Sequence, residues 1–167
     1  WDLQPDDFVI SIVGRLVPVK NHKLFIESFA KLKSKSSRPV KALIVGDGEL
    51  REALIKHCEL LNLKVRSNGT SVPGADVIFT SWIRDVDEVY AGSELAALTS
   101  FNEGTPVSLI EALAAGTPVV STKVGGIQDV VAHNKTGLLI PTDNVMAFAK
   151  GMEKLLTDDV MRHDMAI

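Results

Sequence analysis

Residues 103–120 read Glu103-Gly-Thr-Pro-Val-Ser-Leu-Ile-Glu-Ala-Leu-Ala-Ala-Gly-Thr-Pro-Val-Val120, which predicts a loop, a short helix and a buried strand. The helix is expected to begin at Pro106, because proline has no N–H to leave unpaired there and its φ is already helical. Gly116 and Pro118 then provide a C-terminal stop. The residues expected to face the core are Val107, Leu109, Ile110, Leu113 and Ala114. A helix delimited in this way before a strand is typical of a parallel α/β sheet.

The start of this helix is a candidate anion site. The free backbone N–H groups of its first turn, notably those of Val107 and Ser108, add to the helix dipole and favour a phosphate. Glu103 lies in the loop before the helix and Glu111 within it, more than a turn further along. Either carboxylate can accept hydrogen bonds from sugar hydroxyls. Taken alone, two such glutamates are more often solvated surface acids, so their neighbours decide the interpretation.

Strands and helices alternate along the rest of the chain. Apolar, β-rich runs predict strands, and apolar residues at helical spacing predict the helices between them. The predicted strands cover residues 8–13, 40–45, 76–82, 95–99, 118–122 and 136–140, with a short strand near residue 65. The first predicted helix begins near residue 22 and the second follows residue 48. Further helices are predicted over residues 86–91, over 127–132, and from 143 or 144 to 156. The expected fold class is α/β, with a doubly wound, mostly parallel, Rossmann-like sheet that binds its ligand at the carboxyl ends of the strands.

Two loops follow the first two predicted strands. The first carries Arg15 and Lys20, whose guanidinium and ammonium groups suit phosphate oxygens, although basic loop residues are usually solvated. The second, Gly46-Asp47-Gly48, lacks the full G-x-G-x-x-G pattern of dinucleotide-binding proteins. We interpret it as a structural turn in which Asp47 caps the next helix.

The composition argues against several classes of protein. The 167 residues are 46% hydrophobic and 23% charged, which indicates one globular domain with a sizeable core. The net charge of −3 gives no support to nucleic-acid binding, and no apolar run approaches the roughly 18 residues that span a bilayer. Cys58, the one cysteine, is expected in the core. Asp85-Val-Asp87 could bind a divalent metal, but it opens a predicted helix, where acidic residues are favourable in any case. The four histidines show no metal-ligand spacing, so we expect no metal and no other cofactor.

The run from Glu103 to Val120, followed by Gly125-Gly126 and Thr136-Gly-Leu-Leu139, resembles the nucleotide-sugar domain of retaining glycosyltransferases of the GT-B type, the group 1 or family 4-like enzymes. Asp129 departs from the glutamate that the family often has after the glycine pair. The resemblance implies that residues 1–167 form the donor-binding, C-terminal half of a GT-B fold. It also implies that an N-terminal acceptor domain and the final C-terminal helices are absent from this sequence.

The resemblance further implies a donor site. In it, Arg15 and Lys20 would bind the diphosphate, Glu103 would bind the hydroxyls of the sugar, and these three would carry catalysis. Glu111 would hold the ribose, with Thr105 and the amides that follow it at sugar and phosphate. The donor-binding set implied in full is Gly14, Thr105, Pro106, Val107, Ser108 and Glu111, with Trp82, Ile83 and Arg84 as candidates for base contact. A Trp82 packed on the surface is the competing interpretation.

The function implied is transfer of a sugar, with retained anomeric configuration and without metal, from a nucleotide diphosphate sugar to a glycan or lipid-linked sugar. The acceptor would be bound by the N-terminal domain, so we expect the isolated domain to be inactive and the intact protein to work in the cytoplasm or at the cytoplasmic membrane face. A nucleotide-sugar epimerase and a non-catalytic nucleotide-binding module remain open. A nicotinamide dehydrogenase or flavodoxin-like module would share the architecture, whereas a glycosidase pair of carboxylates is disfavoured by the cationic loop.

Overall fold

The computed structural model describes residues 1–67 and 69–166. The strands within them are β1 (Phe8–Val13), β2 (Val40–Val45), β3 (Val65–Arg66), β4 (Val77–Phe79), β5 (Leu95–Leu98), β6 (Val119–Thr122) and β7 (Gly137–Ile140). They form one seven-stranded sheet in the order β3-β4-β2-β1-β5-β6-β7. Every pairing between neighbouring strands is parallel. The predicted α/β class is confirmed, and the described sheet is wholly parallel.

Helices connect the strands and cover both faces of the sheet. They are α1 (His22–Lys35), α2 (Arg51–Leu60), α3 (Val86–Ala91), α4 (Val107–Ala114), α5 (Ile127–Val130), α6 (Val145–Thr157) and α7 (Asp159–Asp164). Side chains of a strand alternate between the two faces. Phe8, Ile10 and Ile12 accordingly pack in one core with α1 and α6, whereas Val9 packs on the opposite face with Val89 of α3. This two-sided burial explains why the strand sequences are almost continuously apolar.

The strand order reverses beside β1. The sheet extends from β1 to β2 on one side, and the chain later returns to add β5 on the other. Doubly wound sheets bind ligands in the crevice that such a reversal opens at the carboxyl ends of the strands. The loops that leave β1 and β5 meet at this point, where the Phe101 N–H donates to the Val19 carbonyl at 2.9 Å. The fold therefore sets the 14–21 and 99–106 loops side by side.

Several boundaries differ from the sequence prediction. β4 ends at Phe79 rather than at residue 82, since the Thr80 hydroxyl donates to the Ser81 carbonyl and the chain leaves the sheet. α5 ends at Val130 rather than at residue 132, because Val131 takes extended backbone angles of φ −103° and ψ 113°. α6 extends to Thr157, and only Asp158 separates it from α7. The Asp158 carboxylate accepts from the Met161 N–H at 2.9 Å and caps α7.

The turn after β2 is structural, but its aspartate does not cap the helix. Gly46 has φ 134°, and a Cβ there would lie 2.1 Å from the Gly14 carbonyl oxygen, so glycine is required where β1 and β2 end together. The Asp47 carboxylate accepts from the adjacent Gly48 N–H at 2.8 Å. Leu50 occupies the N-cap of α2, without a side-chain cap. The predicted cap by Asp47 is therefore wrong, because the chain runs on past it before the helix begins.

Cys58 lies fully buried in the core on α2, as predicted. Burial raises the pKa of its thiol to about 12, so the thiol stays protonated at neutral pH.

Among residues 1–67 and 69–166, none of the helices combines the length and the apolar character needed to cross a bilayer.

Candidate functional site

Glu103 lies where the loop after β5 meets the loop after β1. It lies in the loop after β5, and its side chain is only 9% exposed. Its Oε1 atom accepts from the Lys20 ammonium at 2.5 Å and from the Ser100 hydroxyl at 2.5 Å. Charge-assisted hydrogen bonds of this kind are among the stronger polar contacts in proteins. The structure therefore brings two of the predicted catalytic residues, Lys20 and Glu103, into direct contact.

Lys20 is held by its backbone as well as by its side chain. It ends the single turn of 3-10 helix, Pro18–Lys20, that precedes α1. The buried Thr99 hydroxyl donates to the Lys20 carbonyl at 3.1 Å. With the Phe101–Val19 bond, this contact ties the loop after β1 to the loop after β5 at two points. The ammonium position is therefore set by the ends of two neighbouring strands.

The glycine pair after β6 supports the same loop. The Gly126 N–H donates to the Glu103 carbonyl at 3.0 Å. A Cβ on Gly125 would lie 2.1 Å from the Glu103 carbonyl oxygen, and one on Gly126 would lie 2.0 Å from that of Gly104. The close approach in the structure is to the loop that carries Glu103.

The N-terminus of α4 differs from the prediction in two respects. Pro106 is the N-cap, with ψ 75°, and α4 begins at Val107, so the predicted start at Pro106 is wrong by one residue. The Val107 N–H donates to the Thr105 carbonyl at 2.9 Å, so it is not free for an anion as predicted. No backbone carbonyl of the described chain accepts from the Ser108 N–H. One of the two predicted amides therefore remains available at this helix end.

The apolar side of α4 is narrower than predicted. Leu109 and Ala112 are buried, whereas Val107 is 56% exposed and Ile110 42% exposed. At 100° per residue, residues 107 and 110 project away from the side shared by 109 and 112. Their predicted place in the core is therefore wrong, and so is that of Ala114, which is exposed. Val107 instead presents an apolar surface at the helix end near the crevice.

Glu111 lies apart from the Lys20–Glu103 pair, on the flank of α4 that faces α3. It lines a groove of about 300 Å³ with Val86, Asp87, Tyr90, Ala114 and Ala115. Burial, and then the nearby negative charge of Glu111, raises the pKa of Tyr90. The structure thus assigns the two predicted carboxylates to separate places, one at the crevice and one beside α3.

The remaining predicted residues are mostly solvent-facing. Arg15 is exposed and makes no side-chain hydrogen bond or ion pair within the described residues. Trp82 is 61% exposed, Arg84 is exposed, and Ile83 is half-buried, where it packs against the core that contains Val89. The interpretation of Trp82 as a packed side chain is therefore wrong, since most of its surface is open. Gly14 and the exposed Thr105 lie in the two crevice loops.

Sequence analysis missed His22 and Ser100. His22 is 1% exposed at the start of α1, and burial, with the positive charge of Lys20 second, lowers its pKa to about 4. It is therefore neutral at pH 7. Ser100 is fully buried beside Glu103. The only sequence signals were their positions, His22 two residues after Lys20 and Ser100 three residues before Glu103.

Curated relatives align along nearly the whole chain. A D-inositol 3-phosphate glycosyltransferase of Jonesia denitrificans is 33% identical, with 98% of this chain and 38% of the relative covered. An alpha-1,4-N-acetyl-D-galactosaminyltransferase of Campylobacter jejuni, whose name describes an undecaprenol diphosphate-linked glycan, is 31% identical over 94% of this chain and 41% of the relative. The chain thus spans about two fifths of these relatives' length.

A solved structure has the same fold. Anabaena HepE in complex with UDP-glucose superposes with a TM-score of 0.83 and is 26% identical, with 96% of this chain and 42% of that chain covered. A family model, "Glycosyl transferases group 1", matches residues 1–167. The resemblance seen in the Glu103–Val120 run is therefore confirmed, and the chain belongs to the group 1 glycosyl transferase family.

Proposed function

We propose that this chain binds a nucleotide diphosphate sugar in the crevice between β1 and β5, and that the intact protein transfers the sugar to an acceptor. The observation that carries the proposal is the contact between Lys20 and Glu103 at 2.5 Å. An ammonium that can bind phosphate and a carboxylate that can bind hydroxyls stand side by side where this class of sheet takes its ligands. A sugar linked to a diphosphate offers a binding partner to each of these two groups.

Catalysis in this proposal is stabilisation of the departing diphosphate. As the bond between sugar and phosphate breaks, negative charge grows on the phosphate oxygens. These oxygens are stabilised by the positive charges of Lys20 and of the exposed Arg15 guanidinium. The Ser108 N–H donates a hydrogen bond to them. Because the chain supplies these charges itself, we propose a reaction that needs no metal. Retention of the anomeric configuration rests on the resemblance of residues 103–120 to retaining enzymes.

The nucleoside half of the donor would extend from the crevice toward α3. Glu111, on the flank of α4, is positioned to accept hydrogen bonds from ribose hydroxyls. The open face of Trp82 offers a surface on which a base can stack, with Ile83 and Arg84 beside it. This direction accounts for the separation of Glu111 from Glu103.

The relatives support a sugar nucleotide and suggest the acceptor class. The HepE structure holds UDP-glucose, so UDP sugars are the first donors to test. The name of the Campylobacter relative describes a lipid-linked glycan, and we propose an acceptor of that class for the intact protein. Such an acceptor would bring the intact protein to the cytoplasmic face of a membrane, with the acceptor bound outside the present chain. We expect the chain alone to bind donor without transferring sugar.

The proposal is tested by calorimetric titration of the chain with UDP, GDP and ADP, and then with UDP-glucose, GDP-mannose and ADP-glucose. Lys20→Ala should weaken binding of the preferred diphosphate by about tenfold or more, as expected for loss of a charge-assisted hydrogen bond. Lys23→Ala is the matched control, because Lys23 lies on α1 with its side chain 65% exposed and pairs with Glu27. Equal affinity for Lys20→Ala and Lys23→Ala would contradict the phosphate role of Lys20.

The transfer reaction needs the intact protein and an acceptor. With the donor identified by titration, we expect transfer to persist in excess EDTA, and we expect the anomeric proton coupling of the product to match that of the donor. A loss of turnover that added metal restores would overturn the metal-free proposal, and an inverted coupling would overturn retention.

A further inference from the structure

We infer that Ser100 is a positioning residue for the donor site, because its hydroxyl fixes one oxygen of Glu103 so that the other faces the donor sugar. The inference rests on the proposed function. It assigns a role to a side chain that makes no contact with the donor itself.

Ser100 is well placed for this role because its own backbone is fixed. It lies two residues after the end of β5 and is 0% exposed. Its carbonyl accepts from the buried Thr122 hydroxyl at 2.7 Å, which ties the end of β5 to the end of β6. The Ser100 hydroxyl donates to Glu103 Oε1 at 2.5 Å. A buried donor on an anchored backbone holds the carboxylate in one orientation.

The two oxygens of Glu103 are in different environments. Oε1 accepts from both Lys20 and Ser100, whereas Oε2 accepts no hydrogen bond within the described chain. An ionised carboxylate has about four acceptor positions, so Oε2 keeps its capacity for hydroxyl donors. The side chain is nearly buried, with the Gly126 N–H holding its carbonyl from the other side. Oε2 is therefore the oxygen of Glu103 that retains acceptor capacity for a sugar hydroxyl.

Donor binding changes the balance between the two contacts on Oε1. A diphosphate draws the Lys20 ammonium toward its own oxygens, which weakens the ion pair with Glu103. The Ser100 hydroxyl is uncharged and buried, so it stays on Oε1 while Lys20 moves. Ser100 then becomes the contact that keeps Glu103 from rotating away from the sugar. Its effect should appear in recognition of the sugar and leave recognition of the diphosphate unchanged.

The test compares affinities for a diphosphate and for its sugar conjugate, using UDP with UDP-glucose, GDP with GDP-mannose and ADP with ADP-glucose. Ser100→Ala should lower the ratio of the affinity for the sugar conjugate to the affinity for the diphosphate by about tenfold, as expected for loss of a hydrogen bond to a charged group. The affinity for the diphosphate alone should change by no more than about twofold. Ser11→Ala is the control, because Ser11 is also 0% exposed and its hydroxyl donates to the Leu95 carbonyl inside the sheet. Thermal melting of both variants verifies that they are folded.

Each outcome is decisive. If the unsubstituted chain binds a sugar conjugate more tightly than its diphosphate and only Ser100→Ala reduces this difference, the inference holds. If Ser100→Ala retains the full difference, or if the unsubstituted chain shows no difference, the positioning role is overturned while nucleotide binding stands. If the unsubstituted chain binds none of the six compounds, the proposed function fails first and the inference fails with it.

Discussion

His22 is a neutral buried base beside a cation, and it makes the stability of the fold depend on pH. The folded state lowers its pKa to about 4 from an ordinary value of 6.5, because burial and Lys20 both oppose a second positive charge. As the pH falls below 6.5, His22 becomes protonated in the unfolded chain, whereas in the folded chain it stays neutral until about pH 4. The contribution of His22 to the free energy of unfolding should therefore be fully present above pH 6.5. It should decrease by about 3 kcal/mol in total as the pH falls from 6.5 to about 4.

The measurement is urea unfolding at pH 7 and at pH 4.5 for the unsubstituted chain, His22→Gln and His163→Gln. Only His22→Gln should lessen the loss of stability between the two pH values, since His163 is exposed on α7. Carboxylates contribute equally to all three proteins and cancel in the comparison. The same loss in all three would show that His22 does not titrate in this way.

Single residues were also where prediction from sequence failed. Lys20 and Glu103 were identified from charge and from a family pattern, and the structure joins them. Ser100 and His22 carry no pattern of their own, because a hydroxyl or an imidazole acquires its partner or its pKa from residues far away in sequence. Val107 and Ile110 were wrongly predicted to be buried, because apolar character alone does not reveal which side of a short helix packs against the sheet.

Among the elements, the turn before α5 acts as a support for the loop after β5. Gly126 has an ordinary backbone conformation, so its requirement for glycine is purely steric: a Cβ would lie 2.0 Å from the Gly104 carbonyl oxygen. Gly126→Ala should push the two loops apart and lower the free energy of unfolding by about 2 kcal/mol. Gly104→Ala is the matched control, because a Cβ there meets no atom within 4 Å.

These two variants are compared by chemical unfolding. We expect the midpoint of Gly126→Ala to fall clearly below that of Gly104→Ala. Identical midpoints would mean that the contact between the two loops can relax without cost, and the support described for Glu103 would then be absent.

α6 offers a simpler test of how local sequence stabilises an element. Asn144 accepts from the Ala147 N–H at 2.9 Å and satisfies one of the unpaired amides at the helix start. Asn144→Ala should cost about 1 kcal/mol of unfolding free energy, whereas Asn144→Asp keeps an acceptor and should cost little. Equal losses for the two substitutions in a denaturant titration would refute the capping role.

The contrast between helices shows which boundaries a sequence can reveal. The start of α6 was predicted from residues 143 and 144, because a capping side chain acts on amides only three residues away. Asp47 has the same chemistry and does not cap α2, since the close packing of the turn against Gly14 and Leu16 directs the chain elsewhere. Local chemistry decides a boundary only where no distant contact overrides it.

At the scale of the whole molecule, the alternation of strands and helices was sufficient to predict a doubly wound parallel sheet. Strand order was not predictable, because periodicity shows that a strand is buried but not which strand lies beside it. The position of the crevice follows from that order, since β1 has β2 on one side and β5 on the other. The sequence therefore predicted candidate residues for the site, while only the topology shows that Lys20 and Glu103 meet.

The Lys20–Glu103 contact joins residues 83 positions apart in the chain. Contacts of such long range cannot form until both halves of the sheet have docked, and parallel sheets dominated by them fold slowly. A nascent chain that has not yet formed β5 lacks the Lys20–Glu103 contact, and so cannot form the proposed donor site even if its first half has folded. Recovery of nucleotide binding during refolding should therefore report completion of the entire fold, and a bound nucleotide at a hundred times its Kd would protect the whole sheet by about 2.7 kcal/mol against unfolding.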